Sequence, residues 1–156
     1  MVYSLFLYIV FIAALPVMGV VAILIWFIDG SPVLYRQRRV GLGGKPFTML
    51  KFRTMKPGAE RMKRYYQSRN QARGPVFKMY DDPRFTRTGK LLSHVGLDEL
   101  PQLMNVIRGE MAIFGPRPLP IAEAKKLKPW MRERHAIKPG IISPWIFEGY
   151  HAKPFD

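Results

Sequence analysis

From Met1 to Ile28 the chain runs without a single Lys, Arg, Asp, Glu, His, Asn or Gln. A bilayer core takes about 20 apolar residues as a helix, so this stretch is long enough to reach across one. A cleaved signal peptide is not expected: there is no basic leading region, the apolar run is too long, and no small-x-small cleavage site precedes the polar part. Pro16 lies in the middle of the run, where it removes a backbone hydrogen bond and crowds the preceding turn, so a kink or break is expected there. Two topologies fit: a kinked spanning helix, or a helix that enters, bends near Pro16 and returns to the same face.

Beyond Gly30 the pattern shortens. Val33 to Arg38 reads as a strand, Gly41-Leu42-Gly43-Gly44 as a turn and Phe47 to Met55 as a second, partly alternating strand, which together predict a hairpin. These glycines are turn residues and not a Walker loop, since Lys45 is followed by Pro46. Ala59 to Arg73 is helix-compatible, groups Met62, Tyr65 and Tyr66 among basic residues, and ends at Gly74-Pro75. It suits either a surface helix lying on anionic lipid or a solvated helix packing its aromatics on the domain. A loop over 81–89 leads to a helix from about Lys90 to Val95.

Leu97, Leu100, Leu103, Met104 and Ile107 recur at three-to-four spacing, predicting an amphipathic helix from Asp98 to Arg108 that Gly109 stops. Pro101 fits only in its first turn, which puts Asp98 at or near the N-cap. Then come a short apolar strand around Met111 to Phe114, a proline-held turn at Gly115-Pro116-Arg117-Pro118, and a basic helical stretch from Ile121 to Ala136 interrupted near Pro129. Trp130, beside Arg132 and Arg134, reads equally as an interfacial anchor or a core residue.

Charge sharpens this picture. The 156 residues hold 25 Lys plus Arg against 11 Asp plus Glu, a net charge of +14, and every basic residue follows the apolar segment. Such a balance suits anionic lipid, phosphate-bearing substrates or nucleic acid without choosing among them. Arg36, Arg38 and Arg39, close behind the segment, mark the cytoplasmic side of a membrane. With no cysteine there is no disulfide framework, thiolate nucleophile or Cys-ligated metal, and the three histidines lack metal-site spacing. Catalysis must therefore use carboxylates and cations. Two adjacent carboxylates, Asp98 and Glu99, stand out in so basic a chain. Asp98 has a plain alternative role as a helix cap, but a helix start also favours bound anions such as phosphate.

The runs Gly30 to Gly41 (Gly-Ser-Pro-Val-Leu-Tyr-Arg-Gln-Arg-Arg-Val-Gly), Lys51-Phe52-Arg53-Thr54-Met55, Leu97-Asp98-Glu99-Leu100-Pro101-Gln102-Leu103, Gly115-Pro116-Arg117-Pro118 and Lys138-Pro139-Gly140 occur in this order. Together they closely resemble the bacterial sugar transferase family of monotopic phosphoglycosyl transferases, over about residues 1 to 142. The resemblance implies transfer of a sugar 1-phosphate from a UDP-sugar to polyprenol phosphate (undecaprenyl phosphate), with release of UMP, as the first step of a membrane glycoconjugate or exopolysaccharide. It implies Asp98 as the nucleophile that forms an aspartyl-phosphosugar, Glu99 as its partner, Mg2+ at the site with Asp98 as a ligand, and a re-entrant N-terminal helix broken at Pro16.

Carboxylate attack on phosphorus divides one displacement into two, and the anionic nucleophile needs nearby positive charge to approach an anionic diphosphate. Lys51, Arg53 and Arg117 are the cations within the matched motifs and the candidates for substrate binding. Lys51 and Arg53, two apart on a strand, would share a face, and Arg117 in its proline-held turn suits bidentate phosphate recognition. Solvated surface charge or lipid contact is the competing reading of all three.

The chain departs from the family's usual pattern at Ser93 and Gly96, where an Arg and a Ser are usual before the nucleophile, and at Ile142-Ser143-Pro144-Trp145-Ile146. It also stops at Asp156, short of the family's later helices.

The expected architecture is an α/β, mostly helical small membrane-associated domain with a short β-hairpin, divided as a membrane helix over 1–29 and a cytoplasmic-face catalytic domain over 30–156 at the inner membrane. Expected partners are the nucleotide-sugar donor, the polyprenol phosphate acceptor and the bilayer. No nucleic-acid motif is present, and an oligomer is compatible with the sequence. The alternatives are an inactive or structural relative, and a membrane-tethered basic module that binds anionic lipid or nucleic acid.

Overall fold

The computed structural model describes residues 2–72 and 76–143. The first element is one helix, α1, Val2–Asp29. Pro16 lies inside it, and the expected division into two helices at that point is not seen. A proline forfeits one bond of the ladder, and the apolar turns on either side carry the helix past it. Within α1, Leu5–Asp29 is long and apolar enough to cross a membrane.

Gly30, with φ of 76°, ends the helix and turns the chain into the hairpin. Strand β1 (Leu34–Val40) pairs antiparallel with β2 (Pro46–Phe52), setting Tyr35 opposite Lys51 and Gln37 opposite Met49. A short 3₁₀ turn at Leu42–Gly44 joins them, and Gly43 and Gly44 both take positive φ, as the glycine run suggests.

The expected helix over 59–73 is shorter and tighter. It consists of α2 (Ala59–Met62) followed by a 3₁₀ segment, Lys63–Arg69. Asn70 then ends it, its Oδ1 accepting from the amides of Ala72 and Lys78 and its Nδ2 donating to the carbonyls of Ala72 and Val76. The stop expected at Gly74-Pro75, with Arg73 before it, lies outside the described residues.

Helix α3 (Arg87–Val95) starts three residues earlier than its apolar pattern indicates, because the Thr86 hydroxyl caps it by accepting from the Gly89 amide at 2.9 Å. Gly96, with φ of 76°, closes α3 and opens a 3₁₀ turn, Leu97–Glu99.

Pro101 immediately precedes α4 (Gln102–Ile107), which corrects the helix expected from Asp98 onward. Strand β3 (Ala112–Phe114), α5 (Ile121–Ala124), a 3₁₀ segment at Trp130–Ala136 and β4 (Gly140–Ile142) complete the described chain. β3 and β4 run parallel, Ala112 opposite Gly140 and Phe114 opposite Ile142. The architecture is therefore mixed helix and sheet, with two small two-stranded sheets among short helices.

Two of the three core clusters include α1. Leu7 joins Met49, Val106 and Met111, while Val21 and Ile25 join Phe52 and Leu92. The third cluster, of Val76, Leu119, Ala124 and Leu127, lies under β1 and α5. The same helix leaves a broad apolar face uncovered, including Phe6, Ile9, Ile12, Val20 and Phe27.

Helix α3 crosses the backbone after β2 closely at Gly89, where an added Cβ would fall 2.0 Å from the Thr54 carbonyl oxygen. Gly89→Ala should therefore destabilise the fold by about 1–3 kcal/mol or more, as overpacking against unyielding backbone does. Thermal unfolding in detergent checks this, and an unchanged midpoint would contradict the close approach.

Candidate active site

Two chain segments meet at the acidic pair, the turn that carries it and strand β2. The left-handed Gly96 aims the Leu97–Glu99 turn so that both carboxyl groups meet β2, and Lys51 reaches them from the strand. Lys51 Nζ donates to Asp98 Oδ2 at 3.2 Å and to Glu99 Oε1 at 2.8 Å. Asp98 is 4% exposed. It caps no helix: neither the 3₁₀ turn nor α4 has a side-chain cap, so the capping role weighed for it is not the one it plays.

Burial holds the Asp98 carboxyl above the usual carboxylate range. Lys51 pulls it back and neighbouring Glu99 pushes it further up. A carboxylate so placed is poorly solvated and correspondingly basic.

A cleft of about 260 Å³ opens beside this cluster, lined by Lys51, Glu99, Gln102, Arg117 and Arg39 among others. Arg117 projects from the turn after β3, and its guanidinium makes no hydrogen bond or ion pair to another described residue. A smaller adjoining hollow shares Arg117 and adds Arg134 and His135. Positive charge accumulates here. Burial and then Arg117 bring Arg39 down to about 10, and the same two causes bring Lys78 down to about 8. Cations that depress one another in this way favour an anion between them.

The cations proposed from sequence thus separate. Lys51 and Arg117 share the cleft with Glu99, and Arg117 also bears electrostatically on Asp98. Arg53 goes elsewhere. It follows the end of β2, and its guanidinium, 5% exposed, donates to the carbonyls of Asp29 and Gly30 at 2.6 Å each and of Ser31 at 3.1 Å. These are the last carbonyl of α1 and the two that follow it, so Arg53 clasps the end of that helix to the domain. Thr86 strengthens the clasp by donating to the Asp29 carboxylate at 2.8 Å.

Arg39, which reads in sequence as one of a membrane-side basic cluster, is instead buried and donates to the Pro118 carbonyl and the Gln37 side chain. It therefore supports the turn that presents Arg117. Gln102, 2% exposed, also lines the cleft, and Asn105 is fully buried behind it. The one sequence signal for these last two was an amide set among apolar neighbours.

A protein-family model described as "Bacterial sugar transferase" matches residues 1–155. The chain belongs to that family. Among curated relatives, the galactosyl transferase CpsE of Streptococcus agalactiae serotype III is 40% identical over 121 residues, covering 78% of this chain and 27% of that protein. The exopolysaccharide production protein ExoY of Sinorhizobium fredii is 38% identical over 142 residues, 88% of this chain and 63% of that one. A putative undecaprenyl-phosphate N-acetylgalactosaminyl 1-phosphate transferase of Bacillus subtilis is 44% identical over 105 residues, 67% and 52% of the two chains. The chain thus spans from about a quarter to under two thirds of the length of these relatives.

Family membership fits a carboxylate-and-cation site, and it leaves the role of each side chain to geometry. For Arg53 the geometry makes a specific demand. Arg53→Met orphans three carbonyls and should lower stability by about 3 kcal/mol, with Arg53→Lys recovering only part of it. Thermal unfolding beside donor KM separates the two roles: a raised KM at unchanged stability would return Arg53 to substrate binding.

Proposed function

We propose that the protein transfers a sugar 1-phosphate from a UDP-sugar to polyprenol phosphate, releasing UMP, by way of an aspartyl-phosphosugar on Asp98. The observation that carries this reading is the Asp98–Glu99 pair, bridged by Lys51 at the edge of a cation-lined cleft. An Asp98 carboxylate oxygen attacks the phosphorus that bears the sugar, and the bond from that phosphorus to the UMP oxygen breaks. The lipid phosphate oxygen then attacks the same phosphorus, the bond to Asp98 breaks, and the product is a polyprenyl diphosphate sugar. Each stroke exchanges one P–O bond for another, and Asp98 returns as a carboxylate.

Lys51 and Arg117 supply positive charge where the diphosphate carries negative charge, which is the dominant requirement of phosphoryl transfer. Lys51 also keeps two adjacent carboxylates compatible in a partly buried place. Glu99 holds Lys51 by a second ion pair at 2.8 Å and keeps its own charge beside the reacting group. The name of the Bacillus relative supports undecaprenyl phosphate as the acceptor.

Magnesium suits this donor set in part. Among the described residues no group of three His, Cys, Asp or Glu side chains gathers to hold a metal, but two carboxylate oxygens already converge on one cation, the Lys51 ammonium. Mg2+ is commonly held by one or two carboxylates together with substrate phosphates, so Asp98 and Glu99 would hold it with the donor's diphosphate, where it would neutralise charge on the departing nucleotide.

The membrane reading is monotopic, on the cytoplasmic face of the inner membrane. Leu7 and Ile25 lie about 27 Å apart along α1 at 1.5 Å per residue, close to the roughly 30 Å of a bilayer core. Both nonetheless pack into the domain. A helix that carried Leu7 to the far side could not keep it against Met49 and Val106. Since Met49 and Phe52 are only three residues apart on β2, this supports a re-entrant helix that keeps both ends on the domain, offers its uncovered face to lipid and bends at Pro16 as it returns to the face it entered.

The test is UMP release with undecaprenyl phosphate in detergent, magnesium and a panel of UDP-galactose, UDP-glucose, UDP-N-acetylgalactosamine and UDP-N-acetylglucosamine. Asp98→Asn should abolish release while the protein stays bound to membranes, and Glu99→Gln should reduce it. Wild-type rates in either would contradict the assigned pair. Equal membrane binding with no turnover by wild type on any donor would favour the basic lipid-binding module instead.

The raised Asp98 pKa gives a signed pH prediction. The reaction needs the carboxylate, so turnover should fall with decreasing pH earlier than an ordinary aspartate, near 3.9, would dictate. Lys51 holds that pKa down, so Lys51→Met should move the acid limb to still higher pH. A rate profile that is unmoved, or moved downward, would contradict the ion pair.

A further inference from the structure

Strand β2, which delivers Lys51, has β1 on one edge and, among the described residues, no strand on the other. A single side chain takes the place of that missing neighbour. Asn105 of α4 is wholly buried at 0% exposure. Its Oδ1 accepts from the Leu50 amide at 3.1 Å, and its Nδ2 donates to the Thr48 carbonyl at 2.8 Å. An adjacent strand would make the same donor-and-acceptor pair with a strand edge. The second Nδ2 proton goes to Glu110 Oε2 at 2.7 Å, and the Asn105 carbonyl accepts from the amides of Glu110 and Met111 at 2.9 and 3.2 Å. Both Nδ2 protons and the Oδ1 of the side chain have partners, which is the condition for burying it.

The position of these bonds matters more than their number. Thr48 and Leu50 flank Met49, a core residue, and Lys51 is the next residue after Leu50. Asn105 belongs to the same short stretch as Asp98 and Glu99, because α4 begins directly after Pro101. One amide therefore fixes the register between the strand that brings the cation and the segment that brings the carboxylates. Apolar packing of Met49 against Val106 holds the two together but does not define their sliding position, whereas two hydrogen bonds to consecutive edge groups do.

We infer that Asn105 is a positioning residue that sets Lys51 against Asp98 and Glu99. This rests on the reading of Lys51 as a working partner of the pair. Without Asn105 the strand keeps β1 and its core side chain but loses its fixed offset, and the Lys51 ammonium leaves the point shared by the two carboxylates.

The experiment is a double-mutant cycle on the full chain in detergent, read as kcat for UMP release per folded protein. The variants are Lys51→Met, Asn105→Ala, their combination, and Leu127→Ala as a destabilising control in the separate Val76–Leu119 cluster. Asn105→Asp keeps the shape and the acceptor for Leu50 and loses the donor to Thr48, so it serves should the alanine variant not fold. Lys51→Met should cost on the order of 10²-fold in kcat, as loss of one charge-stabilising group does. Asn105→Ala should cost at least about 10-fold with little change in donor KM, and the double variant should be no slower than Lys51→Met, as expected for residues acting through one group. Leu127→Ala should melt earlier with its folded-state kcat intact.

A second readout needs no turnover. The ammonium ¹⁵N resonance that Lys51→Met deletes should be lost or displaced in Asn105→Ala and Asn105→Asp, and retained in Leu127→Ala. Folded Asn105 variants with wild-type kcat and an unmoved Lys51 resonance, or losses that multiply in the double variant, would overturn the inference. Wild-type kcat in Lys51→Met would instead overturn the functional reading on which it stands.

Discussion

Two carboxylates next to each other in sequence, one of them almost entirely buried, repel each other and pay for lost hydration unless a cation lies between them. Lys51 is that cation, and the arrangement of the domain follows from the need to bring it there. The hairpin carries it on β2, the left-handed Gly96 aims the acidic turn at it, and Asn105 locks the strand to the helix that follows the turn. A buried pair of this kind is weak evidence for stability, because removing one partner costs far more than the pair contributes. Its presence in a small, strongly basic chain is explained better by chemistry than by folding.

The apolar helix α1 belongs to the same arrangement. It supplies Leu7 to the core beneath Met49 and Val21 and Ile25 to the core beneath Phe52, so the middle and the C-terminal end of β2 rest on it. Arg53 then draws the helix end in by its carbonyls, two residues beyond Lys51. On the proposed reading, the cleft that would take phosphate and the apolar face that would meet lipid are therefore neighbours in the chain as well as in space. A reaction between a soluble donor and a membrane-bound acceptor requires that proximity.

Much of this was legible in the residue pattern where the determinant was local. Alternation around a glycine run predicts the hairpin, and the leucine stripe predicts a helix here, but of that stripe only Leu103 is among the residues α4 buries, beside Gln102, Asn105 and Val106, and the helix begins after Pro101 and not at Asp98. What escaped the pattern depended on distant partners. Nothing near Arg53 indicates that helix carbonyls some twenty residues earlier will claim it, so a strand-face argument paired it with Lys51. Arg39 looked like membrane charge because its buried acceptor, the Pro118 carbonyl, lies 79 residues away. The capping role weighed for Asp98 failed for a nearer reason: a 3₁₀ turn intervenes before α4, and Gly96 rather than a side chain shapes its start. Pro16 marked a weak point in α1 without dividing it.

The central claim is a covalent bond from Asp98 to phosphorus, and intact-protein mass spectrometry tests it most directly. Wild type and Asp98→Asn are incubated with magnesium and each UDP-sugar in the absence of lipid acceptor, then quenched in acid. A mass gain of one phosphosugar in wild type, discharged on adding undecaprenyl phosphate and absent from Asp98→Asn, is the predicted result. Turnover with lipid present but no adduct under rapid quench, or an adduct that persists in Asp98→Asn, would contradict it.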